Sequence, residues 1–200
     1  LGLVGSEMCI RDRIGAEAFL GLLLLNRRPL ALTVYLSGAV LSLMYSIPPV
    51  RLKERPPLDL ISHSVFFGVS PLLTGLLLSP STFQASIVWI IFLCSIVALY
   101  SVVLELRNEI EDYEYDRAAG YRTSAVVVGY EGSLKLLRAL LLSLTAIVCI
   151  FTLTHGYYVL APTILLLLFL SLKLKVRLVD AYMVLFLLSI LALTKVHVNL

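Results

Sequence analysis

The sequence predicts an all-α protein, a bundle of helices that crosses a membrane several times. Of its 200 residues, 60% are hydrophobic and only 14% are charged, which is too apolar for an ordinary soluble domain. Apolar stretches of about 17 to 25 residues recur along nearly the whole chain, and a helix needs this length to cross a hydrocarbon core about 30 Å thick. The stretches lack the alternation of polar and apolar residues that a transmembrane barrel requires, so helices are predicted.

Seven apolar stretches follow one another, and each is predicted to form a helix. They lie near residues 14–25, 30–46, 58–79, 83–106, 133–153, 157–172 and 178–196. The first and the sixth are short for a complete span. No internal repeat or low-complexity linker separates them, so one membrane domain is expected rather than several modules.

Basic residues are concentrated in alternate loops, and this distribution predicts the topology. Basic residues follow the second, fourth and sixth stretches, and Arg27 and Arg28, in the turn after the first stretch, are the exception. Those after the three stretches are Arg51, Lys53, Arg55, Arg107, Arg117, Arg122, Lys135, Arg138, Lys173, Lys175 and Arg177. The turns at 79–82 and 154–157 contain no Lys or Arg. Since short cytoplasmic loops collect basic residues, the three basic loops are predicted to be cytoplasmic, in a multi-pass protein of the cell membrane. The net charge of +3 is therefore a topology signal, and no nucleic-acid partner is expected.

The first thirteen residues are set apart from the functional argument. The segment Glu7-Met-Cys-Ile-Arg-Asp-Arg13 resembles the translated read-through of a sequencing adapter. The alternative is a genuine polar N-terminus. The membrane domain is accordingly predicted to comprise residues 14–200, and to be partial.

Acidic residues crowd the end of the fourth predicted helix. Asn108, Asp112 and Asp116 have the spacing i, i+4, i+8, which places them on one helix face. Like charges on successive turns repel, and a divalent cation relieves that repulsion. Hard oxygen ligands select magnesium, which completes its shell with water and phosphate oxygens. Glu109 lies at the edge of this face, and Glu114 points away from it. A helix end held by local salt bridges is equally compatible with the spacing.

The residues that follow carry a more specific pattern. The run Asn108-xxx-Asp112-xxx-Asp116-Arg-Ala-Ala-Gly120-x-Arg122-Thr, with small apolar residues up to Gly129, resembles the second aspartate-rich motif of UbiA-type intramembrane prenyltransferases. Gly120 suits a turn that needs a positive φ. Arg117 and Arg122 lie near enough to the acids to contact phosphate.

A second segment, from Tyr45 to Pro57, is predicted on the same side of the membrane. Two proline pairs force a non-helical loop, in which Arg51 and Lys53 alternate toward a shared anion. Basic residues in an ordinary cytoplasmic connector are the alternative. The Tyr-Ser-x-Pro-Pro-x-Arg-x-Lys pattern is similar to the equivalent loop of the same superfamily. Tyr45 is a candidate for the substrate-cavity wall, and Asp59 is interpreted as an acid at the start of its own helix.

The resemblance implies a bundle of nine helices around a cavity, of which seven are visible here. It implies prenyl transfer from a polyprenyl diphosphate to a hydrophobic acceptor within the membrane lipid, as in lipid or quinone biosynthesis, with Mg²⁺ as cofactor. Asp112 and Asp116 would be catalytic, Asn108 would join them as a metal ligand, and Arg51, Lys53, Arg117 and Arg122 would bind diphosphate. An aromatic ring, a glycerol ether, a carotenoid and a tetrapyrrole are all possible acceptors.

One expected feature is absent, because no first aspartate-rich motif precedes the 30–46 stretch. Truncation explains this best, and residues 14–200 alone are then expected to be inactive. A degenerate, inactive homologue is the alternative. Two other classes are ranked lower. A cation-coupled transporter would place its acids in mid-span, and a CDP-alcohol phosphotransferase would carry an Asp-Gly-x-x-Ala-Arg signature that this chain lacks.

Overall fold

The computed structural model describes residues 21, 28–79, 86–154, 161–172 and 176–198. Within these residues the regular structure is entirely helical, and no strand occurs. Backbone groups in a hydrocarbon environment must be satisfied within their own segment, and long apolar helices achieve this. The predicted all-α fold is confirmed.

Eight helices make up this part of the chain. They are α1 (Pro29–Ser46), α2 (Leu58–Leu78), α3 (Ile87–Glu111), α4 (Tyr113–Ala119), α5 (Ser124–Val128), α6 (Tyr130–Thr154), α7 (Ala161–Leu172) and α8 (Val176–Val198). A single 3-10 turn at Leu52–Glu54 lies in the proline-rich loop, and the middle of α2 is π-helical at Ser64–Val69.

Four of the helices, α1, α2, α3 and α6, are long and apolar enough to cross a membrane. They correspond to the second, third, fourth and fifth predicted stretches, and α7 and α8 correspond to the last two. The predicted helix at 14–25 lies outside the described residues, apart from Gly21. The chain is therefore an integral membrane protein.

The helical structure extends beyond the apolar stretch that ends at residue 106. Helix α3 continues to Glu111 and α4 follows it, in agreement with the helix predicted to carry Asn108, Asp112 and Asp116, whereas α5 was not predicted. Hydropathy locates only the apolar part of a helix, so a polar extension beyond the membrane is missed. An i,i+4 ion pair of 2.7 Å between Arg107 and Glu111 supports this extension.

The described residues fall into two compact units, of which the first comprises residues 21, 28–52, 62–79 and 86–98. In this unit α1 packs against the second half of α2 through small side chains. Gly38 is buried and faces Ser70, whose hydroxyl donates a hydrogen bond of 3.0 Å to the Val34 carbonyl oxygen. Small residues that let two backbones approach, joined by a hydroxyl hydrogen bond, are typical of helix contacts in membranes.

We expect Gly38→Ala to destabilise this helix pair by about 1–3 kcal/mol, because the added methyl group overpacks the contact. A Cβ atom at Gly38 would lie 2.8 Å from the Ser70 Cβ atom. The melting temperature of the purified protein in detergent is the measurement. Gly75→Ala in α2 is the matched control, since a Cβ there would meet nothing within 4 Å. Equal melting temperatures for the two variants would contradict the prediction.

The second unit comprises residues 53–61, 99–154, 161–172 and 176–198. In it α7 packs against both α6 and α8, and the buried side chains at its core are Leu137, Leu141, Leu144, Val148, Leu167, Val179, Tyr182 and Phe186. The Tyr182 hydroxyl donates a hydrogen bond of 2.7 Å to the Leu141 carbonyl oxygen and lies 2.8 Å from the Thr145 hydroxyl. Short α5 is joined to α6 by the Ser133 hydroxyl, which donates to the Ala125 carbonyl oxygen at 3.2 Å. The second unit therefore contains both a packed apolar core and the acidic segment.

Candidate active site

The acidic segment lies at the junction between α3 and α4. Asp112 interrupts the helix, with φ −87° and ψ 2°. The backbone nevertheless keeps its i,i+4 bonds, since the Asp112 N–H donates to the Asn108 carbonyl oxygen at 3.0 Å and the Asp116 N–H donates to the Asp112 carbonyl oxygen at 2.9 Å. The spacing on which the predicted cation site depends therefore continues through the bend.

The two aspartates of this segment interact electrostatically. Asp112 is exposed and Asp116 is half-buried. Burial raises the pKa of Asp116, and the nearby Asp112 carboxylate raises it further. The Lys53 ammonium group and a hydrogen bond from the Thr123 hydroxyl act in the opposite direction and lower that pKa. Ionisation of Asp116 beside Asp112 is therefore unfavourable, and a bound cation would make it easier.

The same interaction brings two sequence-predicted segments together. Lys53 lies on the 3-10 turn of the proline-rich loop, and its charge acts on Asp116. A basic residue near the half-buried Asp116 carboxylate is suited to bind an anion that also contacts a carboxylate-bound cation. Lys53 and Asp116 are thus close enough to interact electrostatically, and the role of Lys53 as a diphosphate ligand stays a prediction.

Arg51 and Tyr45 belong to the first unit and are described within it. Arg51 adopts a positive φ of 40°, which residues other than glycine rarely adopt, and its N–H donates to the Ile47 carbonyl oxygen at 3.1 Å. The Tyr45 ring lies 5.2 Å from Phe66 and 6.1 Å from the His63 ring. Tyr45 is accordingly part of an aromatic cluster on α1 and α2.

Arg117 and Arg122 are both exposed, one in the last turn of α4 and the other in the turn that follows. Gly120, between them, has the left-handed φ of 77° that the sequence predicted. The turn is closed by the Tyr121 N–H, which donates to the Asp116 carbonyl oxygen at 2.9 Å. This hydrogen bond links the turn that contains Arg122 to Asp116.

The Asn108 side chain forms a hydrogen bond with Arg107, the residue that precedes it. Its Oδ1 atom accepts a hydrogen bond of 3.1 Å from Arg107, whose guanidinium also pairs with Asp180 of α8 at 2.9 Å. Arg107 was not a predicted site residue, and it joins the end of α3 to the start of α8. Asn108 itself is exposed.

Two buried carboxyl groups near this segment were missed as site residues. Asp59 is fully buried, and its two oxygens accept hydrogen bonds from the N–H and the hydroxyl of Ser124 at 2.5 and 2.6 Å. Glu109 is only 5% exposed, and its Oε2 atom accepts from the Ala125 N–H at 2.9 Å. The interpretation of Asp59 as a cap for its own helix is incomplete, because its strongest partners lie 65 residues further along the chain.

The donor chemistry of Asp112 and Asp116 fits magnesium. Both supply hard carboxylate oxygens, the type of ligand that Mg²⁺ prefers. In the described part of the chain, no three His, Cys, Asp or Glu side chains lie close enough to hold a metal ion by themselves. An ion on these aspartates would therefore need further oxygens, from an amide, water or phosphate.

Comparison with known proteins identifies the family that the chain resembles. The model of the UbiA prenyltransferase family matches residues 14–193. Two curated relatives, both named lycopene elongase/hydratase and both from Corynebacterium glutamicum, are 29% identical over 134 residues, which is 66% of this chain. That match covers 45% of each relative, so the chain spans about half the length of the curated relatives it matches. No solved structure matches the chain.

Proposed function

Because the chain belongs to the UbiA prenyltransferase family, we propose that it forms part of an enzyme that transfers a prenyl chain from a polyprenyl diphosphate to a hydrophobic acceptor within the membrane. The observation that supports this proposal is that the charges of Lys53 and Asp112 both act on Asp116. A cation and two carboxylates at one place are what a metal-bound diphosphate requires.

The reaction divides into three chemical changes. The bond between the first carbon of the prenyl chain and the diphosphate oxygen breaks, and its electron pair leaves with the diphosphate. The allylic carbocation is then attacked by an electron pair of the acceptor, which forms the new bond. The positive charge is then on the acceptor, and it is removed by loss of a proton to water or by addition of a water molecule that afterwards loses a proton. Magnesium, when bound, supplies charge neutralisation for the departing diphosphate.

The residues of this chain have distinct roles in that scheme. Asp112 and Asp116, with Asn108, hold the divalent cation. Lys53 binds a diphosphate oxygen and neutralises part of the negative charge that the diphosphate already carries before the carbon–oxygen bond breaks. Arg51, Arg117 and Arg122 provide further diphosphate contacts, on the cytoplasmic side of the cell membrane.

The apolar helices provide the second requirement, exclusion of water from the carbocation. Exposed side chains on α2, among them Val65 and Phe67, are suited to contact with lipid or with an isoprenoid chain. Tyr45 is proposed as part of the cavity wall, because its ring belongs to an aromatic cluster and aromatic faces stabilise cations.

The acceptor is proposed to be a carotenoid. The two curated relatives carry lycopene in their names, and a carotenoid is long and apolar enough to lie within the bilayer. Of the four acceptor classes compatible with the sequence, it is the one that these relatives favour.

The test is an assay of the complete gene product that contains this chain, reconstituted in vesicles with Mg²⁺ and radiolabelled geranylgeranyl diphosphate. Lycopene, an aromatic acid, a glycerol ether and a chlorophyll precursor serve as acceptors in parallel. We expect label to enter a carotenoid product. Transfer to another acceptor would overturn the carotenoid assignment alone. Absence of transfer to all four, by folded protein, would contradict the enzymatic proposal.

A further inference from the structure

The start of α5 is held by two carboxyl groups from other helices. Asp59, in the first turn of α2, accepts from the Ser124 N–H at 2.5 Å, and Glu109, near the end of α3, accepts from the Ala125 N–H at 2.9 Å. We call these four residues the carboxyl clasp. It joins the turn after α4 to two helices that are distant from it in sequence.

The carboxyl clasp is more than a helix needs for capping. Thr123 already caps α5, because its hydroxyl accepts from the Val126 N–H at 3.4 Å. An exposed serine or threonine cap satisfies a helix end without burying a charge-bearing group. Asp59 and Glu109 are both buried, and burying carboxyl groups is unfavourable unless their hydrogen bonds are retained. A function beyond capping accounts for that cost.

The carboxyl clasp fixes the Thr123–Ala125 backbone, which follows the turn that is bonded to Asp116. The Tyr121 N–H donates to the Asp116 carbonyl oxygen at 2.9 Å, and Thr123 lies two residues further on, immediately before Ser124. Arg122 immediately precedes Thr123. A shift of the Thr123–Ala125 backbone would therefore also move the turn that is bonded to Asp116 and the arginine on that turn. The Thr123 hydroxyl, which lowers the pKa of Asp116, would move with it.

We propose that Asp59 and Glu109 are positioning residues, which orient Asp116 for the divalent cation by fixing the Thr123–Ala125 backbone. This rests on the proposed function, since it takes Asp112 and Asp116 as the cation site. Asp59 makes the larger contribution, because it also accepts from the Ser124 hydroxyl at 2.6 Å and from the Leu60 N–H at 2.8 Å. Neither residue contacts the cation itself.

The principal variant is Asp59→Asn in the complete gene product, purified in detergent. The asparagine keeps one oxygen acceptor but presents an amide NH₂ group to a neighbour that is also a donor, so the turn must shift. Mn²⁺ serves as the probe, and its dissociation constant is measured by electron paramagnetic resonance well below the melting temperature. We expect that constant to rise about tenfold, the effect of misplacing one ligand.

A stability control separates positioning from a merely structural role. Tyr182→Phe removes a buried hydrogen bond to the Leu141 carbonyl oxygen in the same unit, so it lowers the melting temperature without reaching the turn. We expect its Mn²⁺ dissociation constant to equal that of the unaltered protein. If Asp59→Asn also lowers only the melting temperature, the positioning proposal is overturned.

A milder variant keeps the test decisive if Asp59→Asn does not fold. Ser124→Ala removes the hydroxyl bond and retains the N–H bond to Asp59, and we expect a rise of about threefold in the Mn²⁺ dissociation constant. An unchanged constant for this folded variant overturns the proposal.

Failure of the underlying function gives a different result. If Mn²⁺ binds the unaltered protein and the Asp112→Ala, Asp116→Ala double variant equally well, the cation site is elsewhere and the proposed function fails. If the double variant loses Mn²⁺ while Asp59→Asn keeps full affinity, only the positioning role is wrong.

Discussion

Replacement of both Asp112 and Asp116 by alanine is expected to lower kcat for prenyl transfer by about a thousandfold. Charge stabilisation by a bound metal ion contributes several kcal/mol to a transition state, and each 1.36 kcal/mol is about a factor of ten in rate. The double variant removes the carboxylates that we propose as metal ligands, so this stabilisation is lost. The measurement is single-turnover transfer of radiolabelled prenyl groups by the complete gene product at saturating diphosphate.

The Asp112→Ala, Asp116→Ala double variant should remain folded, because the pKa of Asp116 is raised in the folded protein. Burial and the Asp112 carboxylate raise the pKa of Asp116 above its usual value. An acid whose pKa is raised in the folded state is less easily ionised there than in the unfolded chain, so its ionised form opposes folding. Removal of the pair should therefore leave the melting temperature unchanged or slightly higher.

Glu114→Ala is the matched control for this experiment. Glu114 is an exposed acid on the same short helix, α4, and the spacing places it away from the predicted ligand face. It lines a separate cleft with Tyr113 and Tyr130. Its removal changes the net charge by one unit while leaving activity intact. Equal losses of activity in Glu114→Ala and the double variant would mean that general surface charge, and not a cation site, is responsible.

The sequence predicted the membrane helices well because hydropathy acts locally. Each of α1, α2, α3 and α6 is a continuous apolar run. The length and hydropathy of such a run are enough to predict that it lies in the membrane. Gly120 was predictable for the same reason, since a positive φ after a helix depends on the residue at that position.

Interactions between distant segments were predicted only where a motif indicated them. The proline-rich loop was predicted to bind phosphate on the same side of the membrane as the acidic segment, and the Lys53 charge acts on Asp116. By contrast, helical spacing alone placed Glu109 at the edge of the ligand face. The structure turns its carboxyl group to the Ala125 N–H. Spacing gives the direction of a side chain, but the partner that it meets depends on tertiary packing.

Asp59 illustrates the same limit more strongly. An acid at the second position of a helix is compatible with favourable interaction with its own helix end, and nothing in its neighbours indicates burial. Its partner Ser124 is 65 residues away. The only local sign was at the other end, where Thr123 and Ser124 begin a helix whose first N–H groups need acceptors.

Lys53→Met is expected to raise KM for the polyprenyl diphosphate by about 10- to 100-fold, with a smaller effect on kcat. A hydrogen bond to a charged group contributes about 1.5–3 kcal/mol, and methionine preserves the length of the side chain without its charge. Lys53→Arg should restore most of the affinity, because a guanidinium also binds phosphate oxygens. Lys135→Met, at an exposed position of α6, is the matched control and should leave KM unchanged.

The pH dependence provides a second measure of the same variant. The Lys53 charge lowers the pKa of Asp116, so its removal must raise that pKa further. A higher pKa means that the carboxylate is protonated, and unable to bind a cation, at a higher pH than before. The acidic limb of kcat/KM should therefore move to higher pH in Lys53→Met and stay in place in Lys135→Met. A limb that does not move would show that Lys53 acts on the diphosphate without influencing Asp116.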